Sequence, residues 1–477
     1  MAETLADRLA GAAAVRAARQ AIDDASDVWI VGGAARDALE ERPIFDLDLA
    51  TARPPESLAR SIAAATPAAV FQLSEEFASW RVAARDGRWQ IDVSALRGES
   101  IEADLALRDF TVNAIAMPLV GGEPLDPHAG VADLEAGVLR AVGERCFADD
   151  PLRLMRAARI GAAFGLAPDA ATRALARSHA GRAAEPAGER QLAELRGILT
   201  GPDPLRGLEL LADLAIEAVV LPELEALRGV EQNPYHHLDV HGHTLAVLEQ
   251  AIELERPQRL AELFPDSADE LTALLAEPLA DELTRAGALR FAALFHDLGK
   301  PATRSLTDEG RVTFIGHDRV GAEIIAAICR RLRTSRRLRS HLEGLTMNHL
   351  RVGFLVHARP LERRQVYEFL RATDPAPVDL TLLTVADRLA TQGPKTKPEA
   401  LEAHLGLARE LLPDALAWQA GGGPGSPLSG DELSEELELE PGPQLGRLLE
   451  ELSAAAYAGE ITSREDAIAL ARRIAGP

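Results

Sequence analysis

The sequence predicts an α+β N-terminal part followed by a mainly α-helical remainder. Runs rich in β-forming residues, interrupted by Gly, Asp and Pro, cover residues 28–31, 69–73, 79–85 and 89–96. The segments 1–22 and 54–65 have the apolar spacing of helices. From about residue 148 onward apolar residues recur three and four apart, as in DPLRLMRAARIGAAFGL. The low aromatic fraction of 4% favours helices that pack through small side chains.

The chain of 477 residues is long enough for roughly two to four domains. Breaks that contain Pro and Gly occur at residues 200–207, 228–237 and 417–433. We divide the chain into regions 1–140, 141–228, 229–395 and 396–477.

The net charge of −23 argues against a general polyanion binder, because affinity for nucleic acid normally depends on basic surface. One segment is strongly basic: residues 330–364 hold ten Arg against Glu343 and Glu362. We expect any RNA contact in the C-terminal half to involve this basic segment. The alternative is a solvated helix face.

Cysteine content and hydropathy indicate a reducing compartment. Cys146 and Cys329 lie far apart without a CxxC motif, and the N-terminus carries acids and arginines instead of an apolar signal core. No window approaches an uncharged apolar run of about 20 residues, the length that crosses a bilayer. We therefore expect a cytoplasmic protein without a membrane segment.

The stretch DLDLAT places Asp46 and Asp48 one residue apart in a predicted strand. Side chains alternate faces along a strand, so both carboxylates project the same way. Two like charges so close are unfavourable unless a cation lies between them, and Mg²⁺ prefers such oxygen ligands. Asp92, on another β-rich run, could complete a two-metal site. The alternative is a surface turn with solvated acids.

A glycine pair precedes these aspartates. Gly32 and Gly33 follow the apolar run VWIV, and glycine permits close approach to the backbone, so their amides could hold a triphosphate. Arg36 could neutralise its charge.

Five motifs along residues 28–200 resemble the class II tRNA nucleotidyltransferase and bacterial poly(A) polymerase family. In chain order they are GGAARD with DLDLAT, EADLALRDFTVNAIA, LDPHAGVADLEAGVLRAVG, FADDPLRLMRAARI and GERQLAELRGIL. The resemblance implies a nucleotidyltransferase head at 1–140 and a helical neck at 141–228 that selects nucleotides and binds RNA.

The resemblance implies metal-dependent nucleotidyl transfer, in which a terminal RNA hydroxyl attacks the α-phosphorus of a nucleoside triphosphate. By position, Asp46 and Asp48 would carry Mg²⁺, and Asp92 would be the base toward the hydroxyl. In-line displacement at phosphorus needs cations on both the entering and the leaving oxygen, which agrees with this assignment. The stretch 74–82 lacks the family's Gly-Thr.

The motif RDFTVNA adds three residues through the same resemblance. Arg108 and Asp109 would bind ribose or triphosphate, and Asn113 would hold the loop or the sugar. A buried structural network is the alternative for Asn113. Leu107 stands where the family has an arginine, and Asp149 replaces its glutamate.

The stretch DDPLR is expected to begin a helix, with Asp150 as N-cap and Pro151 as the first helical residue. Asp150 and Arg153, three residues apart, would then face one way. In the family the matching pair binds the incoming base and admits C or A without a template. Arg156 extends this face, or is an ordinary salt-bridged residue.

Histidines and aspartates in the second half resemble the HD phosphohydrolase superfamily. In chain order they are His243, His296, Asp297, His317, His349 and Asp387. The resemblance implies an all-helical domain at 229–395 whose side chains bind one or two divalent metals. Imidazole suits transition metals and carboxylate also accepts Mg²⁺, so Mn²⁺, Ni²⁺ and Mg²⁺ stay open.

Asp297 could bridge two ions and present an activated water to a phosphoester. The implied activity is phosphodiesterase or phosphatase action on 2′,3′-cyclic or terminal phosphates. His236, His237 and His241 are not assigned as ligands, and Lys300 holds substrate phosphate or caps a helix. The region 396–477 resembles the helical tail of HD-containing family members.

The leading function implied is addition of CCA to tRNA 3′ ends from CTP and ATP. A poly(A) polymerase, or an enzyme that adds only C or only A to an RNA 3′ end, is the alternative within the class. A second class is an HD phosphohydrolase whose head is a non-catalytic RNA or nucleotide sensor. A non-catalytic RNA-binding scaffold is disfavoured by two complete metal-ligand sets. The oligomeric state is left open.

Overall fold

A computed structural model of the chain describes residues 4–22, 25–74, 78–423 and 425–475. They form two compact units, residues 1–220 and 221–477. The division into four regions at 140, 228 and 395 stays a prediction. Among the described residues, none of the helices combines the length and apolar character needed to span a bilayer.

The first unit contains a six-stranded sheet. Its strands are β1 (Val28–Val31), β2 (Asp46–Thr51), β3 (Ala68–Ser74), β4 (Ser79–Ala84), β5 (Gln90–Ala95) and β6 (Ala116–Pro118). Their order across the sheet is β3-β4-β5-β2-β1-β6. Strands β2 and β5 run parallel, and the other neighbours are antiparallel. The α+β prediction for this part of the chain is confirmed.

Twelve α-helices are present in the described part of the first unit. They are α1 (Leu5–Gly11), α2 (Ala13–Ala21), α3 (Gly33–Leu39), α4 (Pro55–Ala65), α5 (Ile101–Ala106), α6 (Gly130–Glu135), α7 (Cys146–Asp149), α8 (Arg153–Phe164), α9 (Ala170–His179), α10 (Gly188–Leu199), α11 (Pro204–Asp213) and α12 (Glu217–Val220). A short parallel pair, β7 (Val138–Leu139) and β8 (Ala167–Pro168), lies among them.

One face of the sheet is covered by α2 and α4. Leu47 and Leu49 of β2 are buried in this core with Ile62 of α4. Because strand side chains alternate, the intervening Asp46 and Asp48 project from the opposite face, where both are exposed. The apolar alternation of β2 thus orients the aspartates.

The second unit is helical with two small hairpins. Its helices are α13 (Pro222–Glu225), α14 (Val240–Glu253), α15 (Pro257–Leu263), α16 (Ala268–Ala276), α17 (Arg285–Phe295), α18 (Lys300–Thr303), α19 (His317–Arg331), α20 (Arg336–Asn348), α21 (Arg351–Leu355), α22 (Arg363–Thr373), α23 (Pro377–Ala390), α24 (Pro398–Gly421), α25 (Gly430–Leu437), α26 (Pro443–Ala458) and α27 (Arg464–Ala475). The hairpins are β9 (Pro278–Ala280) with β10 (Leu283–Thr284), and β11 (Ser305–Leu306) with β12 (Val312–Thr313).

Helices α14, α17 and α23 pack against one another at the centre of this unit, and α19 packs on α20. Gly299 permits the turn after α17 to lie against α19, because a Cβ there would come within 2.1 Å of the His317 carbonyl oxygen. The helices α25–α27 share a small core of their own that includes Leu433 and Leu452. The predicted helical remainder is confirmed.

Candidate active sites

The exposed aspartates of β2 open into a cavity of about 370 Å³ in the first unit. Its lining joins β1, β2 and α3 to residues from the α5–α8 segments. Six arginines line it: Arg36, Arg97, Arg108, Arg153, Arg156 and Arg159. The acidic lining residues are Asp37, Asp46, Asp48, Asp109 and Asp150. A cavity lined by both carboxylates and several guanidinium groups suits a polyphosphate with divalent cations.

The glycine turn lies directly beside the aspartates. Gly32 has φ +74°, and a Cβ on it would lie 2.8 Å from Oδ2 of Asp48. Strand pairing explains this contact, because Val31 is the antiparallel partner of Asp48. Position 32 therefore favours glycine for two reasons: the positive φ, and the lack of space for a Cβ next to the Asp48 carboxylate.

Burial and neighbouring charges change the pKa of Asp48. Desolvation by the surrounding protein raises the pKa of Asp48, although its side chain is open to the cavity. Arg108 acts in the opposite direction, while Asp92 and Asp46 raise the pKa further. A divalent cation would relieve this repulsion, so the donor set fits Mg²⁺.

Asp92 is adjacent to Asp48 in the parallel pairing of β2 and β5. Its carboxylate accepts two hydrogen bonds of 2.7 Å from Nε and Nη2 of Arg81 on β4. Both side chains are partly exposed. The structure brings the third predicted carboxylate to the site together with a basic partner that sequence reasoning missed.

Arg108 reaches the cavity from the end of α5. It donates two hydrogen bonds to Oδ2 of Asp104, at 2.9 and 2.8 Å. Asp104 is buried, so this pair fixes the guanidinium beside Gly32 and Asp48.

Arg36, Asn113 and Asp109 form a buried polar chain in the wall of the cavity. Nη1 of Arg36 donates to Oδ1 of Asn113 at 2.5 Å, and Nδ2 of Asn113 donates to Oδ1 of Asp109 at 3.0 Å. Asn113 thus belongs to a buried network and also lines the cavity, so both roles given to it, structural and nucleotide-binding, stay predictions. Arg36 also donates to Asp37 and lies over the Phe164 ring at 4.0 Å. These structural contacts hold Arg36 in place while it lines the cavity.

Asp109 continues this chain to Arg156, whose Nε lies 3.0 Å from Asp109 Oδ2. Burial raises the pKa of Asp109, but the charge of Arg156 and the hydrogen bond from Asn113 outweigh it, and the pKa lies below its ordinary value. Arg156 is thus salt-bridged, as the alternative interpretation of this residue predicted. It also lines the cavity.

Asp150 and Arg153 both face the cavity, but the helix starts later than expected. Helix α8 begins at Arg153, and Asp150 Oδ1 accepts from the Leu152 amide at 3.1 Å. The predicted helix start at Pro151 is therefore wrong by two residues, because Asp150 closes a turn ahead of the helix instead of capping its first residue.

Both members of this pair are held by other residues. Nη2 of Arg190 on α10 donates to Asp150 Oδ2 at 3.1 Å. Arg153 donates to the carbonyl oxygens of Leu107, Arg108 and Cys146. Arg190 was not predicted as a site residue. It belongs to the GERQLAELRGIL motif, and that motif is the feature of the sequence that could have indicated it.

The six HD residues of the second unit converge, with Oδ1 of Asp387 at 3.0 Å from Nε2 of His243. His243 comes from α14, His296 and Asp297 follow α17, His317 begins α19, His349 follows α20 and Asp387 lies on α23. Two groups of three buried residues are close enough to hold a metal ion, and they share Asp297: His243 with His296, and His317 with His349.

The imidazole geometry of this cluster favours cation binding. The Nδ1 atoms of His296, His317 and His349 lie 2.6–2.9 Å from backbone carbonyl oxygens, so they are the protonated nitrogens. The Nε2 atoms of His317 and His349 then carry lone pairs, and these two atoms are only 3.1 Å apart. Two facing lone pairs are unfavourable without an intervening cation, so the donor set fits divalent metal ions.

Charges around Asp297 keep it ionised. Burial raises the pKa of Asp297, but His296 and Lys300 lower it well below its usual range. Nζ of Lys300 lies 2.6 Å from Asp297 Oδ2 and donates to Gln232 Oε1 at 2.7 Å. Burial lowers the pKa of His349 to about 4, so this imidazole is neutral and ready to bind a metal.

Of the histidines not assigned as ligands, His236 contacts the cluster. Its ring meets the His243 ring at a centroid distance of 4.7 Å. His241 is buried, and Nη1 of Arg228 lies 3.5 Å from its Nδ1. His237 is exposed.

The basic segment 330–364 is partly neutralised within the second unit. Its ion pairs include Arg331 with Glu223, Arg339 with Glu343, Arg359 with Glu410, Arg363 with Asp414 and Arg364 with Glu460. The sequence excess of arginine therefore overstates the charge that this surface offers to RNA.

Three family patterns match the chain in succession. The "Poly A polymerase head domain" covers residues 28–140, the "Probable RNA and SrmB- binding site of polymerase A" covers 165–227, and the "HD domain" covers 270–392. The HD pattern includes five of the six clustered residues, since His243 precedes it.

Curated relatives match almost end to end. An A-adding tRNA nucleotidyltransferase of Deinococcus radiodurans is 37% identical over 455 residues, 93% of this chain and 94% of the relative. A CC-adding tRNA nucleotidyltransferase of Thermus thermophilus is 35% identical over 449 residues, 92% of each chain. A multifunctional CCA protein of an Acidovorax species is 34% identical over 68% of this chain and 72% of the relative.

Solved structures share the fold. A Bacillus stearothermophilus CCA-adding enzyme in complex with CTP aligns over 97% of this chain and 96% of its own, with a TM-score of 0.62 and 22% identity. A Thermotoga maritima CCA-adding enzyme complexed with tRNA aligns over 99% and 98%, with a TM-score of 0.56 and 18% identity.

Proposed function

The chain belongs to the tRNA nucleotidyltransferase family with an HD domain, and we propose that it adds CCA to tRNA 3′ ends, without a template, from CTP and ATP. One observation carries this proposal: Asp46 and Asp48 open beside the Gly32 turn into a cavity lined by six arginines. Carboxylates for cations and guanidinium groups for a triphosphate are then present in one cavity.

In the proposed reaction the terminal hydroxyl oxygen of the RNA bonds to the α-phosphorus of the nucleotide, and the bond to the β-phosphate oxygen breaks. Pyrophosphate leaves, and the hydroxyl proton passes to Asp92. Asp46 and Asp48 would hold Mg²⁺, which supplies positive charge to the entering and leaving oxygens. Arg108, fixed by Asp104, binds the triphosphate.

Asp150 and Arg153 are proposed to read the edge of the incoming base. A carboxylate and a guanidinium together present acceptors and donors, which suits the edges of cytosine and adenine. Arg190 fixes Asp150, and three backbone carbonyls fix Arg153. Prior fixation lowers the entropic cost of recognition.

The HD cluster is proposed as a second active centre that hydrolyses 2′,3′-cyclic or terminal phosphates of RNA ends. A water oxygen bonds to phosphorus, one ribose oxygen leaves, and the protons of the water are shared between the leaving oxygen and solvent. The two triads around Asp297 would each hold a divalent ion, Mn²⁺, Ni²⁺ or Mg²⁺, which lowers the pKa of a bound water.

Addition of a single kind of nucleotide is the second candidate. The Deinococcus relative adds A and the Thermus relative adds CC, and both match this chain over more than nine tenths of its length. The cytoplasm is the proposed location, since the two cysteines are unpaired and buried.

The test of nucleotide addition uses purified protein, Mg²⁺ and three tRNAs that end before CCA, after C and after CC, with CTP and ATP given singly and together. Three residues added to the first tRNA support CCA addition. Addition of A to the CC-ending tRNA alone, or of CC alone, moves the assignment to the second candidate. No addition to any tRNA overturns the proposal.

The HD proposal is tested by metal content and hydrolysis. We expect two ions in the HD cluster, with Asp297→Ala losing both and His317→Ala losing one. His357→Ala, an exposed histidine of the same unit, is the matched control. Hydrolysis of a 2′,3′-cyclic phosphate that survives Asp297→Ala unchanged would overturn the assignment.

A further inference from the structure

A short segment of the second unit, residues 231–236 (EQNPYH), crosses the HD cluster. Near its start, Oε1 of Gln232 accepts the 2.7 Å hydrogen bond from Lys300, whose Nζ also contacts Asp297. At its end, the His236 ring packs edge-on against the His243 ring. The crossing segment is therefore anchored at two of the residues that surround the proposed metal ions.

Tyr235 lies between these anchors with a fixed backbone. Its carbonyl oxygen accepts hydrogen bonds from the Gly393 amide at 2.7 Å and from Oγ1 of Thr396 at 2.9 Å. A Cβ on Gly393 would lie 2.2 Å from the Tyr235 carbonyl carbon, so the two strands of chain are in direct contact. Residue 393 follows α23, the helix that supplies Asp387.

The side chain of Tyr235, unlike its hydrogen-bonded backbone, is open to solvent. It is 51% exposed, and within the described part of the chain its ring stacks on no other aromatic ring. An aromatic ring on a rigid backbone loses little conformational freedom when a planar ligand stacks on it. The exposed ring belongs to the chain neighbour of His236, which packs against His243, and therefore offers a stacking surface.

We propose that the Tyr235 ring stacks on the base of the terminal ribonucleoside whose terminal or 2′,3′-cyclic phosphate is hydrolysed at the HD centre. This inference rests on the proposed hydrolase activity and adds a base subsite to it. In a ribonucleoside phosphate, the ribose alone separates the planar base from the phosphate. In the protein, Tyr235 immediately precedes His236, whose ring contacts the ring of the proposed ligand His243.

The chemistry of this subsite predicts tolerance of base identity. Every nucleobase has a π-face, so stacking provides affinity with little sequence preference. Lys300 and the metal ions would hold the phosphate, and Tyr235 would hold the base. A free nucleotide and the 3′ end of an RNA share this chemistry.

The experiment compares wild type, Tyr235→Ala and Tyr235→Phe in hydrolysis of three substrates with Mn²⁺, Ni²⁺ or Mg²⁺. The substrates are cytidine 2′,3′-cyclic phosphate, a short RNA with the same terminus, and methyl riboside 2′,3′-cyclic phosphate, in which a methoxy group replaces the base. Phe71→Ala removes an exposed aromatic side chain of the other unit and is the matched control.

We expect Tyr235→Ala to raise KM about tenfold on the two base-containing substrates, with kcat and the base-free substrate nearly unchanged. Tyr235→Phe should retain wild-type KM, since the ring and not the hydroxyl is used. A larger effect on the RNA than on the free nucleotide assigns the subsite to RNA ends, and the reverse assigns it to free nucleotides.

Two results overturn the inference while leaving the hydrolase proposal intact: an unchanged KM in Tyr235→Ala, or an equal rise on all three substrates, which is what a merely structural role produces. Failure of the wild-type protein itself to hydrolyse every substrate overturns the hydrolase proposal and the base subsite together.

Discussion

Asp92 lies beside Asp48 on parallel neighbouring strands, yet Arg81 holds both of its carboxylate oxygens at 2.7 Å. The third carboxylate thus has its own counter-charge before any cation binds. Because Arg81 also experiences the charges of Asp46 and Asp48, it competes with divalent cations for this acidic group.

Removal of Arg81 should therefore strengthen cation binding. We expect Arg81→Ala to lower the Mg²⁺ concentration for half-maximal nucleotide addition by about threefold to fivefold, since a partly exposed neighbouring charge contributes up to about 1 kcal/mol. Its kcat should fall, because Asp92 loses its orientation. Titration of activity with Mg²⁺ measures both effects. Arg85→Ala, an exposed arginine just after β4, is the control, and a higher Mg²⁺ requirement in Arg81→Ala would contradict this account.

Gly32→Ala should damage both stability and activity. At φ +74° and ψ −136°, a conformation that favours glycine, an alanine costs about 1–3 kcal/mol of unfolding free energy. The new methyl group would also press on Asp48, so nucleotide addition should fall more than the stability loss explains. Gly87→Ala is the matched control, because Gly87 has φ +69° and no atom within 4 Å of the added carbon. Denaturant unfolding and activity are compared; equal loss of activity in both variants would refute the steric role.

Asn113→Ala tests the buried polar chain. The substitution leaves Arg36 and Asp109 without one buried hydrogen bond each, which should cost about 1–3 kcal/mol of unfolding free energy. Asn348→Ala, whose side chain is less buried, should cost less. Urea unfolding distinguishes the two, and a cost no greater than that of Asn348→Ala would argue against a structural role.

The cysteines should be unreactive in the folded protein. Burial raises the pKa of Cys146 to about 12, so its thiol stays protonated at pH 8, and burial also raises the pKa of Cys329. Ellman's reagent should titrate no thiol in native protein and two after unfolding in guanidinium chloride. A Cys329→Ser variant isolates Cys146, and its fast reaction in the native state would contradict the burial argument.

Much of the architecture follows from local patterns in the sequence. Alternation along DLDLAT was enough to place Asp46 and Asp48 on one face, because Leu47 and Leu49 had to face the core. The motifs also sufficed to predict the family, which relatives of 37% and 35% identity over most of the chain confirm. The HD residues were predicted to converge, and the structure brings them together.

The rest depends on contacts between residues far apart in the chain. Arg190 reaches Asp150 across 40 residues, and Arg36 reaches Asn113 across 77. Such pairs leave no periodicity in the sequence. The start of α8 was misplaced because Asp150 is an equally good residue for an N-cap and for a preceding turn.

The central claim is that Asp46 and Asp48 support nucleotide addition to tRNA. The most direct measurement is incorporation of labelled CTP and ATP into tRNA lacking CCA by wild type, Asp46→Asn, Asp48→Asn and Asp86→Asn, the last an exposed turn residue away from the cavity. We predict a loss of at least about 100-fold in the first two variants, since each removes a charged metal ligand, and none in Asp86→Asn. Wild-type incorporation by Asp46→Asn and Asp48→Asn would contradict the account.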